Sequence, residues 1–350
     1  MRTVAILVVA FLAVLPAPAA AGGTDTPDTA RLSTRELSAL LNDEDPGRVT
    51  FAVYQLAARG KALGAATVAL CTHEDAYVRR AAVFALGTTG NAANKALFSK
   101  AARDADAGVR RAAVFALANL GRQEAVPLIE PAVTDPHPSV RELAATALGR
   151  LGGQRAVRLL IAALDDPSRR VRRAAVVSLG ALGNASALGP LRALRDDPKR
   201  GINARSAAVT EANLNAGHNF GYEFMTLPAF MVRFSADTGI PTFVTDEALA
   251  AVALAAQDPD NLDGLKVSMW HVKARTFLDE LTRAAGLAWV IEGRWVIVTP
   301  RAYLAYDTPL ELEIAGALYR LGDASAETTL KRYAKQQRWR LRAEALMKKN

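Results

Sequence analysis

The stretch DPSRRVRRAAVVSLGALGN, running from Asp166 to Asn184, decides the fold. Alone, its four arginines in five positions read as a basic patch or a targeting tag. Its register with the rest of the chain gives another reading. Val78, Val109, Val140, Val171 and Ile202 follow one another at 31-residue steps. The same step links Arg79, Arg110, Arg141 and Arg172, then Ala82, Ala113, Ala144 and Ala175. It links Leu86, Leu117, Leu148 and Leu179, and finally Gly90, Gly121, Gly152 and Gly183. Several independent columns at one period identify an internal repeat.

Each unit has a physical logic. Asp135, Asp166 and Asp197 stand before Pro136, Pro167 and Pro198, which predicts a capping carboxylate followed by proline at the first helical position. Val171, Ala174, Ala175 and Leu179 then fall at helical spacing and form one buried stripe. Gly183 ends that helix, and ASALGPLRALRD (185–196) supplies a second. One helix pair cannot bury its own apolar face, so neighbouring pairs must stack into a solenoid. The frame D-P-x-x-x-V-R-x-x-A-A-x-x-x-L-G-x-L-G resembles HEAT repeats, and its spacing is similar to the PBS lyase HEAT-like subgroup. The resemblance spans about residues 46–217 and implies a scaffold, an adaptor or, less often, an enzyme.

Outside that span the grammar changes. Upstream, Ser33 and Glu36 form a capping box before Leu37, Leu40 and Leu41, which predicts an N-terminal capping helix within residues 22–45. Residues 218–300 predict a small α+β domain. In it LPAFMVRFSADTGI (227–240) reads as a helix, PTFVTD (241–246) as a strand and ALAAVALAA (248–256) as a helix or loop. LKVSMWHV (265–272) reads as a strand, ARTFLDELTRAAG (274–286) as a helix and LAWVIEGRWVIVT (287–299) as a hairpin. This order resembles the secretin and TonB short N-terminal domain, carried by Val267, Phe277, Leu278, Leu281, Gly286-Leu287 and Trp295 to Val298. That resemblance implies a docking module of a bacterial periplasmic assembly. In residues 301–350, ALYRLGD (317–323) lines up with ALGRLGG (147–153), so the helical repeat resumes after the domain. Its next unit then places Leu341, Arg342 and Ala345 in the valine, arginine and alanine columns. The fold class expected is therefore mainly α: a HEAT-like α-solenoid with a small α+β domain inserted before the C-terminal helices.

Arg2, the apolar run VAILVVAFLAVL (4–15) and the small residues before Gly22 read as a signal peptide over residues 1–21. The twelve apolar residues fall short of the ~20 that a membrane helix needs. The expectation is a mature protein exported to the periplasm or medium, with envelope proteins as partners and without nucleic acid. The single cysteine, Cys71, allows no internal disulfide and no multi-cysteine metal site. His73, His137, His218 and His271 are dispersed, and neither a phosphate loop nor a nucleophile elbow is present. No catalytic residue, cofactor or metal is predicted. The alternatives are a lyase-type or other enzyme using the concave groove, and a polyanion-binding module.

The net charge of +8 is unevenly distributed. Residues 31–217 carry +9, residues 218–300 carry −4 and residues 301–350 carry +4. At about 100° per residue, Arg172 flanks the buried stripe and Arg173 points nearly opposite it. The column Arg79, Arg110, Arg141 and Arg172 is expected to bond the column Asp104, Asp135, Asp166 and Asp197 and lock neighbouring units. The next column, Arg80, Arg111, Glu142 and Arg173, together with Arg169 and Arg170, is expected to form a solvated basic surface for an acidic partner. Near an anionic membrane each basic residue contributes about 1 kcal/mol. Four of them give only about millimolar binding.

Overall fold

The computed structural model describes residues 32–59, 64–121, 123–197, 213–225, 227–245, 248–249, 265–284, 287–292, 295–300, 309–337 and 339–348. Residues 1–21, expected to be a signal peptide, the unit around Ile202 and most of 248–256 lie outside those residues. The chain divides into two compact units, residues 1–119 with 208–304 and residues 120–207 with 305–350.

The first unit opens with α1 (Thr34–Leu40), where Ser33 and Glu36 exchange both capping-box bonds. Repeats follow as α2 (Pro46–Ala58), α3 (Ala65–Leu70), α4 (Ala76–Thr88), α5 (Lys95–Ala101) and α6 (Ala107–Asn119). The longer helices α2, α4 and α6 pack side by side. Val49, Val78 and Val109, one from each, are fully buried. Close approach needs small side chains, and a Cβ on Gly87 would stand 2.6 Å from that of Ala116.

The same unit holds the α+β domain. Its elements are β1 (Gly217–Met225), α12 (Leu227–Thr238), β2 (Thr242–Val244), β3 (Leu265–Lys273), α13 (Ala274–Ala284), β4 (Leu287–Glu292) and β5 (Trp295–Pro300). The labels α7 to α11 fall to the helices between α6 and β1, described with the second unit. β1 and β3 pair antiparallel, while β2, β5 and β4 form a second sheet in that order. β2 runs parallel to β5, with Phe243 opposite Ile297. The helices α12 and α13 meet through Phe234 and Phe277, whose rings stack 5.7 Å apart and are fully buried. β1 has no counterpart among the elements expected from the sequence. Its ladder has two irregularities, between His218 and Phe220 and between Tyr222 and Met225, and these break the alternation that marks a strand.

The second unit continues with α7 (Val126–Ile129), α8 (Pro138–Leu151), α9 (Gly153–Ala162), α10 (Arg169–Leu182) and α11 (Leu188–Asp196). After the α+β domain come α14 (Leu310–Arg320), α15 (Glu327–Ala334) and α16 (Arg340–Met347). α8 packs on α10, and α10 packs on α14. A Cβ on Gly149 would meet Ser178, and one on Gly180 would lie 2.8 Å from the Cβ of Ala317. Gly87 and Gly149 each face a residue 29 positions on; by that step Gly180 would face Val209, and Ala317 takes the place. Leu310, Ile314 and Leu318 of α14, with Gly322 just after it, thus fall in the columns that Ile202, Ser206, Thr210 and Leu214 continue by the 31-residue step. Each of the turn glycines Gly90, Gly121, Gly152, Gly183 and Gly322 has φ between 62° and 88°, a conformation that a side chain would strain. The fold is mainly α, HEAT-like solenoid segments with the small α+β domain inserted before the C-terminal helices.

Two expectations are corrected here. Asp135 and Asp166 are not the helix caps: His137 caps α8 and Ser168 caps α10, two residues later. Each aspartate instead accepts the backbone N–H of the capping residue at 2.8 Å, and the Asp166 carboxylate also takes Arg141 of the neighbouring repeat. The register of α16 also differs. Leu341 is 75% exposed and Ala345 is exposed, whereas Ala343 and Leu346 are buried. Leu346 fills the gap over Gly316, where a Cβ would come within 2.7 Å of it.

Candidate functional site: the arginine columns

The first arginine column is a ladder inside the protein. Arg79 grips Asp104 with two parallel bonds, Nε and Nη2 each at 2.9 Å. Arg141 grips Asp166 in the same way, at 2.7 and 2.9 Å. This fork-to-carboxylate geometry is the strong form of ion pair. The remaining nitrogen, Nη1, turns back to the turn of its own repeat. Arg79 Nη1 donates to the carbonyls of His73 and Glu74, and Arg141 Nη1 to those of Asp135 and Pro136. Arg110 Nη1 reaches Asp104 and Ala105, and Arg172 Nη1 reaches Asp166 and Pro167. Arg172 is only 1% exposed. Asp197 is exposed at the end of α11, where the described residues stop.

Electrostatics follow from these contacts. Burial pushes the Asp104 carboxyl up, but Arg79 and the Asp106 backbone N–H outweigh it and hold Asp104 below its ordinary value. In the second unit the Ser325 hydroxyl, followed by Arg192, lowers Asp323 to about 2. Asp323 caps its turn through Ser325 N at 3.0 Å and receives Arg192 Nε at 2.8 Å. Asn184 does the same for Ser186 in the matching motif, so NASA (184–187) and DASA (323–326) are one repeated device. Arg342 of α16 clamps the buried Glu313 of α14 at 2.9 and 2.7 Å.

The five arginines expected to form a solvated surface separate into different environments. Arg80 is only 3% exposed, which corrects the expectation for it. Its Nη2 donates to the carbonyl of Val244 at 2.7 Å, and its guanidinium carbon lies 5.2 Å from the centre of the Phe243 ring. Arg170 is part-buried and pairs with Glu142 of the preceding repeat, Nε to Oε2 at 3.0 Å. Arg111 and Arg173 are half-buried, and only Arg169 is exposed. The spacing alone could not separate these cases. It carried the signal for Arg170 in the Glu142 exception, 28 residues back, but carried none for Arg80. Four positions beyond Arg80 and Arg111 stand Phe84 and Phe115, stacked 4.8 Å apart. Tyr54 joins that row 5.9 Å from Phe84.

The other polar candidates serve the turns. His137 Nδ1 accepts from Ser139 N at 3.2 Å and caps α8, while His73 Nδ1 accepts from Asp75 N at 3.0 Å and braces the turn before α4, which Asp75 caps. Accepting at Nδ1 places a neutral ring's proton on Nε2. The buried thiol of Cys71 is pushed up to about 12 by desolvation, leaving it protonated at neutral pH. Trp289 donates to Asp279 at 2.9 Å, with Arg275 over its ring. Among the described residues there is no cluster of three or more metal-ligating side chains, and no helix is long and apolar enough to cross a membrane.

The HEAT-repeat family model matches residues 64–135, 94–161 and 127–210. No curated protein matches the chain. Solved structures similar to it include an engineered protein, at 20% identity, covering 52% of this chain and 88% of that one, with a TM-score of 0.35. Another is the CpcE–CpcF complex of phycocyanin lyase from Nostoc sp. PCC7120, at 22% identity, covering 50% and 85%, with a TM-score of 0.33. A designed armadillo repeat protein in complex with the peptide (KR)4 aligns at 19% identity, covering 52% and 99%, with a TM-score of 0.37.

Proposed function

We propose that this chain is a non-catalytic interaction scaffold, exported to the periplasm or beyond, whose inserted α+β domain is its docking module. One observation carries the reading: the α+β domain enters the chain between α10 and α14, two helices that pack against each other as successive repeats. A recognition domain set within a stacked array is presented by a rigid support, the arrangement that favours a docking role. The resemblance to the secretin and TonB short N-terminal domain gives the partner class, proteins of the bacterial envelope. The helix–strand, strand–helix–hairpin order in residues 227–300 supports that assignment. The apolar run over residues 4–15 supports export. Polyanion binding is the weaker reading, because Arg80 is buried and Arg170 is paired with Glu142.

The test is crosslinking in the native host, comparing the full chain with one lacking residues 218–300. Loss of specific envelope partners from the shortened chain is expected. An unchanged partner list sinks the docking role. N-terminal sequencing of the mature protein tests export, with Gly22 the expected first residue and a retained Met1 the contrary one.

A further inference from the structure

The buried position of Arg80 has a consequence for the sheet beside it. Among the described residues β2 lies at the edge of its sheet, with β5 on one side. Pro241 O accepts from Val296 N, and Thr245 N donates to Val298 O, both at 2.9 Å. These two positions and Phe243 between them turn their backbone groups toward β5. Backbone groups alternate along a strand, so Val244 turns its carbonyl to the outer edge. A row of outward groups on an edge strand is a template for another strand. Here the Val244 carbonyl is taken by Arg80 Nη2 at 2.7 Å, while the Phe243 ring lies under the guanidinium. The repeat also leaves space for the arginine. A Cβ on Gly108 of α6 would lie 2.7 Å from Arg80 Cδ and 2.9 Å from Nη1.

We propose that Arg80 is a latch: through it, α4 holds the outer edge of β2 closed against the chain's own repeats. Release of Arg80 opens that edge to strand addition by a second copy of this chain. The inference holds whether or not the α+β domain docks envelope proteins, because its test uses the purified chain alone. Arginine suits the role better than lysine, since its planar fork stacks on the ring while donating to the carbonyl.

The experiment is hydrogen exchange on the full chain, read at the amides of Phe243 and Thr245, with the α4 amides as an internal control. Arg80→Ala is expected to speed exchange in β2 about ten-fold, the effect of losing one charge-assisted hydrogen bond, with α4 protection unchanged. Arg80→Lys falls between the two. Gly108→Ala keeps every charge and displaces Arg80 by sterics, so it accelerates β2 in the same direction and carries the test if Arg80→Ala fails to fold. Unchanged β2 exchange in both variants overturns the latch. Sedimentation then examines the edge: Arg80→Ala self-associates with rising concentration. Adding Val244→Pro, which removes an outward N–H and blocks pairing, restores the monomer. Self-association that survives the proline, or a single variant that stays monomeric, overturns strand addition.

Discussion

Asp166 shows how much one side chain can hold together. Oδ1 closes the turn before α10 by accepting Ser168 N, and both oxygens accept the Arg141 fork from the neighbouring repeat. Its exposure is 7% and that of the Arg141 side chain is 12%, so solvent screens the pair little. Asp166→Asn keeps the volume and the turn but leaves Arg141 without its counter-charge. Urea unfolding is expected to show a loss of about 2–4 kcal/mol. Arg158→Ala on the exposed face should stay within about 0.5 kcal/mol. Asp323 gives a pH signature of its own. Its folded-state pKa, about 2, lies below that of the free carboxyl, so the unfolded chain binds the proton first as acid is added. The stabilisation is complete above the unfolded value of ~3.9 and is lost as pH falls toward 2. Denaturation midpoints measured from pH 5 to 2 should fall less steeply in Asp323→Asn than in the parent. At this scale the sequence disclosed the ladder, because Arg79 and Arg141 recur at the repeat period with their aspartates 25 residues on. It could not disclose Arg80, whose partner is a backbone carbonyl 164 residues away and leaves no mark in composition.

Between elements, the seam is made of absent side chains. Gly180 lets α10 approach α14 until a Cβ would stand 2.8 Å from Ala317 Cβ and 2.9 Å from its Cα. The obstacle includes backbone, so Gly180→Ala must part the helices. A loss of about 1–3 kcal/mol is expected in thermal or chemical unfolding, despite the better helix propensity of alanine. Stability unchanged or raised would mean that the seam relaxes freely. The last helix offers a paired comparison. Leu346→Ala should cost about 2–5 kcal/mol and Leu341→Ala almost nothing, the reverse of what the repeat register predicts. The register misplaces α16 because Gly316 opens a pocket that Leu346 fills, and a gap of that kind has no period. β1 escaped notice for a related reason: its irregular ladder moves side chains off strict alternation. Elements whose geometry repeats were legible, and those shaped by one local gap or irregularity were not.

For the whole molecule, the decisive relation is between the repeat period and the insertion. After Ile202 the sequence columns blur, with Ser206 and Thr210 in apolar places, while Leu310, Ile314 and Leu318 fill the same places beside α10. All three α14 residues are buried, and Gly322 takes the positive φ of the column glycine. The array therefore resumes in register across the interruption. A direct prediction is that removing residues 202–309, so that Leu310 follows Gly201, leaves the α10–α14 seam able to form. The joined segment Asp197-Pro198-Lys199-Arg200-Gly201-Leu310 then copies the spacing of Asp166 to Val171. Repeat proteins gain their stability from nearest-neighbour interfaces, so the shortened chain is expected to keep its helical circular dichroism per repeat and to unfold cooperatively. Gly180→Ala placed in that background should destabilise it by the same amount as in the full chain, since the contact with Ala317 is unchanged. A shortened chain that melts without cooperativity, or that ignores Gly180→Ala, would show that α14 is held against α10 by the inserted domain instead of by its own register.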